Sequence, residues 1–178
     1  IARAILNDPS LSAEEKAAAI VELLRDADPE TLDILLTELD GMDSSVKNRL
    51  AVAIAGDPAL LERIARGGVT SKILLASAIL ESTASPEEKM RALEALTDPK
   101  AKPPLTMDAL IGGLSETQVD ALHWIIAADP TAAEWVAKNA SPQAQLALAR
   151  SVMNSENLTP EAKYPALRNL MEKTDKKS

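Results

Sequence analysis

The sequence predicts an all-α fold in which about twelve short helices form an α-solenoid, a superhelical array of stacked repeats. Three observations lead to this prediction: helix-start signals recur along the chain, apolar residues between them follow helical spacing, and separated segments resemble one another at intervals near 73 residues. Hydrophobic residues make up 46% and charged residues 26% of the 178 residues, which is typical of a chain that folds around a core. We therefore expect residues 1–178 to form a single α-helical repeat domain.

The helix starts are marked by Ser, Thr or Asp at the N-cap, often with Pro at the first helical position and Glu in the first turn. These signals occur in the segments DPSLSAEEK, ADPETL, DSSVK, GDPALLE, SPEEK, SETQVD, ADPTAAE, SPQAQ and LTPEAK. Ser12 and Ser85 are each followed three residues later by Glu, the spacing of a capping box.

Between these starts, apolar residues recur at i, i+3, i+4 and i+7, without the strict alternation of a strand. Leu32, Leu35, Leu36 and Leu39 form one such face. The helices are predicted near residues 1–7, 12–26, 29–41, 44–55, 58–66, 69–82, 86–97, 106–114, 116–128, 130–139, 142–154 and 160–174. The only long connection is 98–106, where three prolines exclude a helix.

Internal similarity indicates about two and a half copies of a unit near 73 residues, approximately 1–73, 74–146 and a partial copy 147–178. ARAILNDPSLSAEEK at 2–16 aligns with ARSVMNSENLTPEAK at 149–163 and, with one deletion, with ASAILESTASPEEK at 76–89.

A second pair of segments supports the same period. LAVAIAGDPALLERIARGG at 50–68 aligns with LHWIIAADPTAAEWVAKNA at 122–140, and 31–50 corresponds loosely to 106–122. Since one copy cannot bury its own apolar face, stacking of copies is expected to build the core.

Composition narrows the possible partners. The net charge of −8 argues against nucleic acids and anionic membranes, because both attract basic surfaces. The absence of Cys excludes disulfides, thiolate metal sites and a Cys nucleophile. There is no apolar run of 18 residues and no visible signal peptide, so we expect a soluble protein, cytoplasmic if natural, with the compartment otherwise open.

Common catalytic and nucleotide-binding motifs are absent from the sequence: G-x-G-x-x-G, G-x-x-x-x-G-K-[ST], G-x-S-x-G and H-E-x-x-H. The pairs Gly67-Gly68 and Gly112-Gly113 are interpreted as a helix C-cap and a tight helix contact rather than phosphate cradles. The carboxylates between Asp26 and Asp33 are attributed to a helix N-terminus, since their spacing does not fit a calcium loop.

The candidate site is His123, the only histidine, beside Trp124, one of two tryptophans. His123 borders the apolar face of helix 116–128, whereas Trp124 points away from it. At a spacing of 72 the pair corresponds to Ala51 and Val52. Three explanations stay open: the pair fills space, it contacts a peptide or protein in a groove, or His123 is a ligand for haem.

In the haem alternative, His123 is the lone axial metal ligand and Trp124 a cofactor-binding residue. One imidazole among aliphatic residues would leave an open distal position for peroxidase-like or carbene-transfer chemistry. Five cations are candidate partners for the haem propionates: Arg49, Arg63, Arg91, Lys138 and Arg150.

The segment LLRDADPETLDILLTEL, residues 23–39, resembles the repeats of HEAT-type solenoids and the superhelical modules of magnesium transporters and flagellar motors. The whole chain resembles computationally designed helical solenoids, because it lacks Phe and Cys, is capped almost systematically, and has helices rich in Ala, Leu and Glu. Pro165 within a predicted helix argues against design; the alternative is a natural bacterial solenoid, a component of an assembly.

These resemblances imply a non-enzymatic scaffold or interaction module whose concave groove takes a peptide or protein, with no cofactor. The alternative function is the designed haem protein.

Overall fold

The computed structural model describes residues 1–101 and 103–175, and within these ranges the all-α prediction is confirmed, with no strand present. The twelve helices of this part of the chain are Ala2–Leu6 (α1), Ala13–Asp26 (α2), Pro29–Thr37 (α3), Ser44–Ala55 (α4), Pro58–Ala65 (α5), Val69–Glu81 (α6), Pro86–Leu96 (α7), Met107–Gly113 (α8), Glu116–Ala128 (α9), Pro130–Asn139 (α10), Pro142–Asn154 (α11) and Pro160–Asp175 (α12). A 3-10 turn, Glu38–Gly41, extends α3.

The helices begin where the capping residues predicted. Ser12 and Ser85 each accept a hydrogen bond through the hydroxyl from the backbone N–H three residues later, which is one half of the expected box. The complete reciprocal box is at α9, between Ser115 and Gln118. Local hydrogen bonding therefore sets these boundaries.

The chain separates into two compact units, Ile1–Leu105 and Thr106–Ser178. In the first unit, α2 packs on α4 and α4 on α6, while α3 packs on α5 and α5 on α7. Packing of alternate helices on one another is expected of stacked repeats, and the solenoid form of the chain stays a prediction. The core is aliphatic, with Leu24, Leu36, Leu50, Ile64 and Leu93 almost completely buried.

Helix ends in this unit are held by side chains from distant helices. The Arg63 guanidinium on α5 donates to the carbonyls of Leu24, Arg25 and Ala27 at the end of α2. These carbonyls have no partner within α2, so Arg63 satisfies them and its charge suits the negative end of the helix dipole.

In the second unit, the last helix is the central one. Helix α12 packs on α9, α10 and α11, and α9 also contacts α10 and α11. Ala166 and Leu170 form its inner face, and the Asn169 amide donates to the Ile126 carbonyl over 2.9 Å. Pro165 lies inside this helix, as the sequence predicted.

Equivalent hydrogen bonds relate α3–α7 (the first set) to α8–α12 (the second set). Asp33 on α3 accepts hydrogen bonds from the N–H of Gly68, the N-cap of α6, at 3.0 and 3.2 Å. Asp108 on α8 accepts one from the N–H of Ser141, the N-cap of α11, at 2.9 Å. The two aspartates occupy corresponding positions in the aligned segments 31–50 and 106–122.

A second equivalent bond lies at the other end of each set. Lys89 Nζ on α7 donates to the Leu80 carbonyl over 3.0 Å, and Lys163 Nζ on α12 donates to the Met153 carbonyl over 3.4 Å. Because lysines and acceptors both lie 73 to 74 residues apart, the repetition extends from the sequence to the side-chain contacts. The compact units meet at Leu105–Thr106, which separates the two sets.

Across the described ranges, no helix combines the length and the apolar character that crossing a membrane requires.

Candidate functional site

His123 is completely buried on α9, at the inner face of the second unit. Its neighbours on the helix, Leu122, Ile125 and Ile126, are buried as well. Trp124 points outward and is 46% exposed, so the two candidate residues are divided between the core and the surface. The structure confirms the predicted directions of both side chains, and it does not bring them together in one site.

The partner of the His123 ring is Ser151 on α11, whose Oγ lies 2.6 Å from Nε2. The same hydroxyl donates to the Leu148 carbonyl over 2.9 Å. Since a serine hydroxyl has one proton, this arrangement makes Ser151 the acceptor and places the imidazole proton on Nε2. Nδ1 then carries the lone pair, and it has no hydrogen-bond partner among the described residues.

Burial lowers the pKa of His123 from 6.5 to about 4, because the charged imidazolium would lose its hydration, while the nearby Asp120 carboxylate opposes this change. The ring is therefore neutral at pH 7. Asp120 is itself buried and accepts a hydrogen bond from the Asn157 amide over 2.9 Å.

His123, Ser151 and Asp120 are the residue types of a hydrolase triad, but their geometry is different. In a triad, a carboxylate accepts the Nδ1 proton and orients the ring, and the serine proton passes to Nε2. Here the carboxylate binds Asn157, and Nε2 donates to the serine. This arrangement ties α9 to α11 and does not activate the hydroxyl.

The haem alternative requires a ring nitrogen that faces a cavity of porphyrin size. Nε2 is engaged by Ser151 and the ring has no exposed surface, so the geometry offers haem coordination no support. Two of the cations proposed for the propionates have other partners: Arg63 holds the end of α2, and Arg49 lies 3.8 Å from Glu14. Haem binding stays a prediction.

The first set shows what His123 replaces. Ala51 and Ala78 occupy the positions that correspond to His123 and Ser151, and both are buried on helices, α4 and α6, that pack on each other. Two methyl groups in one set thus correspond to a hydrogen-bonded polar pair in the other. This correspondence favours the explanation that His123 fills space in a differently packed interior.

A larger feature lies in the first unit, where α5, α7 and residues 98–101 enclose a groove of about 940 Å³. Its apolar lining comes from small or compact side chains: Ala55, Pro58, Leu61, Ala65, Ala95 and Ala101. Volumes of this order are typical of ligand sites, and small residues let a partner approach the backbone closely. The sequence analysis expected a groove and did not place it here.

Charged side chains form the rim of this groove. On the α5 wall, Glu62 and Arg66 form an ion pair of 2.9 Å. The opposite wall presents charges of both signs, and within the described ranges they make no ion pairs: Glu88, Arg91, Asp98 and Lys100. The groove is therefore apolar at its base and able to pair with charges at one edge.

Behind the groove, Lys72 on α6 is completely buried. Its ammonium donates to the Ala65 carbonyl over 2.7 Å and to the Pro103 carbonyl over 2.6 Å. Burial lowers the pKa of Lys72, and the Asp33 carboxylate partly offsets this effect. Nothing in the sequence distinguished this lysine from surface lysines, because its acceptors come from other parts of the chain.

The glycine pairs have structural roles, one of which differs from the prediction. The N–H of Gly67 donates to the Ile64 carbonyl at the end of α5, as a residue after a helix C-terminus does. A Cβ on Gly67 would lie 2.6 Å from Asp33 Oδ1. Gly112 faces open space, with no atom within 4 Å of such a Cβ, so the tight helix contact predicted there is wrong.

Comparisons of the chain with models of protein families, with characterised proteins and with solved structures found no significant match.

Proposed function

We propose that this protein is a helical interaction module that binds a short amphipathic helix of a partner protein in the groove between α5 and α7. The observation that carries the proposal is the groove itself, with its base of small apolar residues and its edge of unpaired charges. A helix laid in a groove is bound through apolar side chains at i, i+3, i+4 and i+7, with polar groups at the margins.

The dimensions and charges define the partner. The α5 wall, Pro58–Ala65, has eight residues and is about 12 Å long, which corresponds to roughly two helical turns of a ligand. The partner helix is expected to carry Ala- to Leu-sized residues on one face. Acidic residues beside that face would meet Arg91 and Lys100, and basic residues would meet Glu88 and Asp98.

The second set supports a specific role for the groove, because the corresponding helices are closed there. Ala95 on α7 corresponds to Asn169 on α12, whose amide bonds to α9, and half-buried Glu88 corresponds to buried Ala162. A groove required only by stacking would be expected in both sets.

A displayed library of 16-residue peptides, selected on the immobilised protein, tests the proposal. Enriched peptides are expected to share an apolar helical face with charged flanks and to bind the free protein in solution. Ala95→Trp, which fills the groove, is expected to weaken their binding at least tenfold. Ala147→Trp is the matched control, because Ala147 is exposed on α11 outside the groove.

Circular dichroism establishes that each variant keeps its helices, and Arg91→Glu offers a second, exposed substitution if Ala95→Trp does not fold. Failure to enrich any peptide, or binding that ignores both groove substitutions, would overturn the proposal.

A further inference from the structure

Lys72 joins two walls of the groove from the inside of the first unit. Its first acceptor, the Ala65 carbonyl, belongs to a residue that lines the groove at the end of α5. Its second acceptor, the Pro103 carbonyl, lies two residues beyond Ala101, which lines the groove on the other side. One ammonium group thus bridges α5 and the segment 98–105.

The second set shows which of these two contacts needs a lysine. Gln145 occupies the corresponding position on α11 and is also buried. Its amide donates to the carbonyls of Ala137 and Ala140 at the end of α10, at 3.3 and 2.9 Å. Ala137 corresponds to Ala65, so a neutral amide is sufficient to hold the end of the preceding helix.

The additional contact of Lys72 is the one to Pro103. Burying a charge is costly unless strong hydrogen bonds compensate for it, and an ammonium group donates stronger bonds than an amide. The segment 98–105 has no helix of its own: Lys100 N–H is bound by the Asp98 carboxylate, and Ala101 N–H by the Asp98 carbonyl. These contacts are local, whereas Lys72 attaches the segment to the helices.

We infer that Lys72 is a positioning residue that fixes the width of the groove by holding the segment 98–105 against the end of α5. This role depends on the proposed function only in treating the groove as a binding surface, and the position of the segment can be measured without any ligand. In Lys72→Gln the bond to Ala65 can persist, as in the second set, while the bond to Pro103 is lost. The segment should then move independently of α5.

Electron paramagnetic resonance of a single nitroxide label tests this inference. Because the chain contains no cysteine, Lys100→Cys provides one labelling site on the segment, and Ala53→Cys provides an exposed control site on α4. Lys72→Gln is expected to increase the mobility of the label at position 100 at least twofold and to leave the label at position 53 unchanged. An unchanged spectrum at position 100 in a folded Lys72→Gln protein would overturn the inference.

Two further measurements keep the test decisive. If Lys72→Gln loses helix content, Lys72→Met keeps the length of the stem and removes the donors, and the same spectra are compared. Peptides selected on the unsubstituted protein are expected to dissociate about tenfold faster from Lys72→Gln. If no peptide is obtained, the proposed function fails, while the label spectra still decide the role of Lys72.

Discussion

The Nε2 atom of His123 lies 2.6 Å from the Oγ atom of Ser151, in the interior of the second unit. The corresponding positions of the first set are Ala51 and Ala78, so a polar pair on one side of the repeat matches two methyl groups on the other. The hydrogen bond removes the cost of burying both polar groups, and it makes each residue depend on the other.

Ser151→Ala is expected to destabilise the second unit by about 1–3 kcal/mol, because the Nε2 proton would be left without an acceptor in a dry interior. Urea unfolding followed by tryptophan fluorescence measures this change, since Trp124 and Trp135 are the two tryptophans and both belong to this unit. Ser10→Ala, an exposed substitution, is the control. Equal midpoints for Ser151→Ala and the unsubstituted protein would show that the bond contributes nothing.

Acid is expected to destabilise the second unit through His123. The folded protein keeps the ring neutral because burial lowers its pKa to about 4, whereas the unfolded chain takes up a proton near 6.5. The stability associated with the neutral ring is therefore complete above pH 6.5 and is lost as the pH falls towards 4, by roughly 3 kcal/mol.

Urea midpoints from pH 7 to pH 4, compared with those of His123→Gln, isolate this contribution, because the carboxylates titrate in both proteins. Parallel pH profiles for the two proteins would contradict the prediction.

Alanine substitution at two glycines should have opposite effects. Gly67→Ala places a methyl group against the Asp33 carboxylate, which is fixed by its bond to Gly68, and a loss of about 1–3 kcal/mol is expected. Gly112→Ala adds a methyl group in open space inside α8 and should stabilise by roughly 0.5–1 kcal/mol. Thermal unfolding by circular dichroism gives both signs. A shift in the same direction for the two variants would refute the explanation.

Asp33 and Asp108 are expected to contribute similarly to stability, because each caps the helix that follows three helices later in its set. Loss of a cap typically costs about 0.5–2 kcal/mol. Asp33→Ala and Asp108→Ala can be compared by urea unfolding, with Asp33→Asn and Asp108→Asn retaining an acceptor oxygen. If only one aspartate matters, the correspondence of the two sets does not extend to energetics.

Haemin is expected to bind without a Soret shift attributable to His123, because coordination would require the ring to leave Ser151 and the core. A visible titration of the unsubstituted protein beside His123→Ala measures this directly. A shift that disappears in His123→Ala would establish the haem alternative against the expectation from the geometry.

The sequence predicted the helices well because their boundaries depend on neighbouring residues. Asp28, Asp57 and Ser115 cap helices through bonds to N–H groups three residues away, so the signal is local. The outward direction of Trp124 likewise follows from the spacing of its neighbours on α9. The resemblance to designed solenoids stays a prediction.

Contacts between distant residues could not be predicted in this way. The acceptor Pro103 lies 31 residues after Lys72, and Ser151 lies 28 residues after His123. No pattern within one helix indicates either partner. Gly112 shows the same limit, because a glycine pair does not reveal whether another helix approaches it.

Attachment of helix ends by later residues has a consequence for the growing polypeptide. The final carbonyls of α2 receive their donors only from Arg63, about 40 residues further along the chain. During synthesis from the amino terminus, α2 leaves the ribosome before the residue that completes it, and its last turn is hydrated until α5 emerges. Each new helix thus finishes an older one, so assembly of this chain is a relay in which the newest segment is always the least complete.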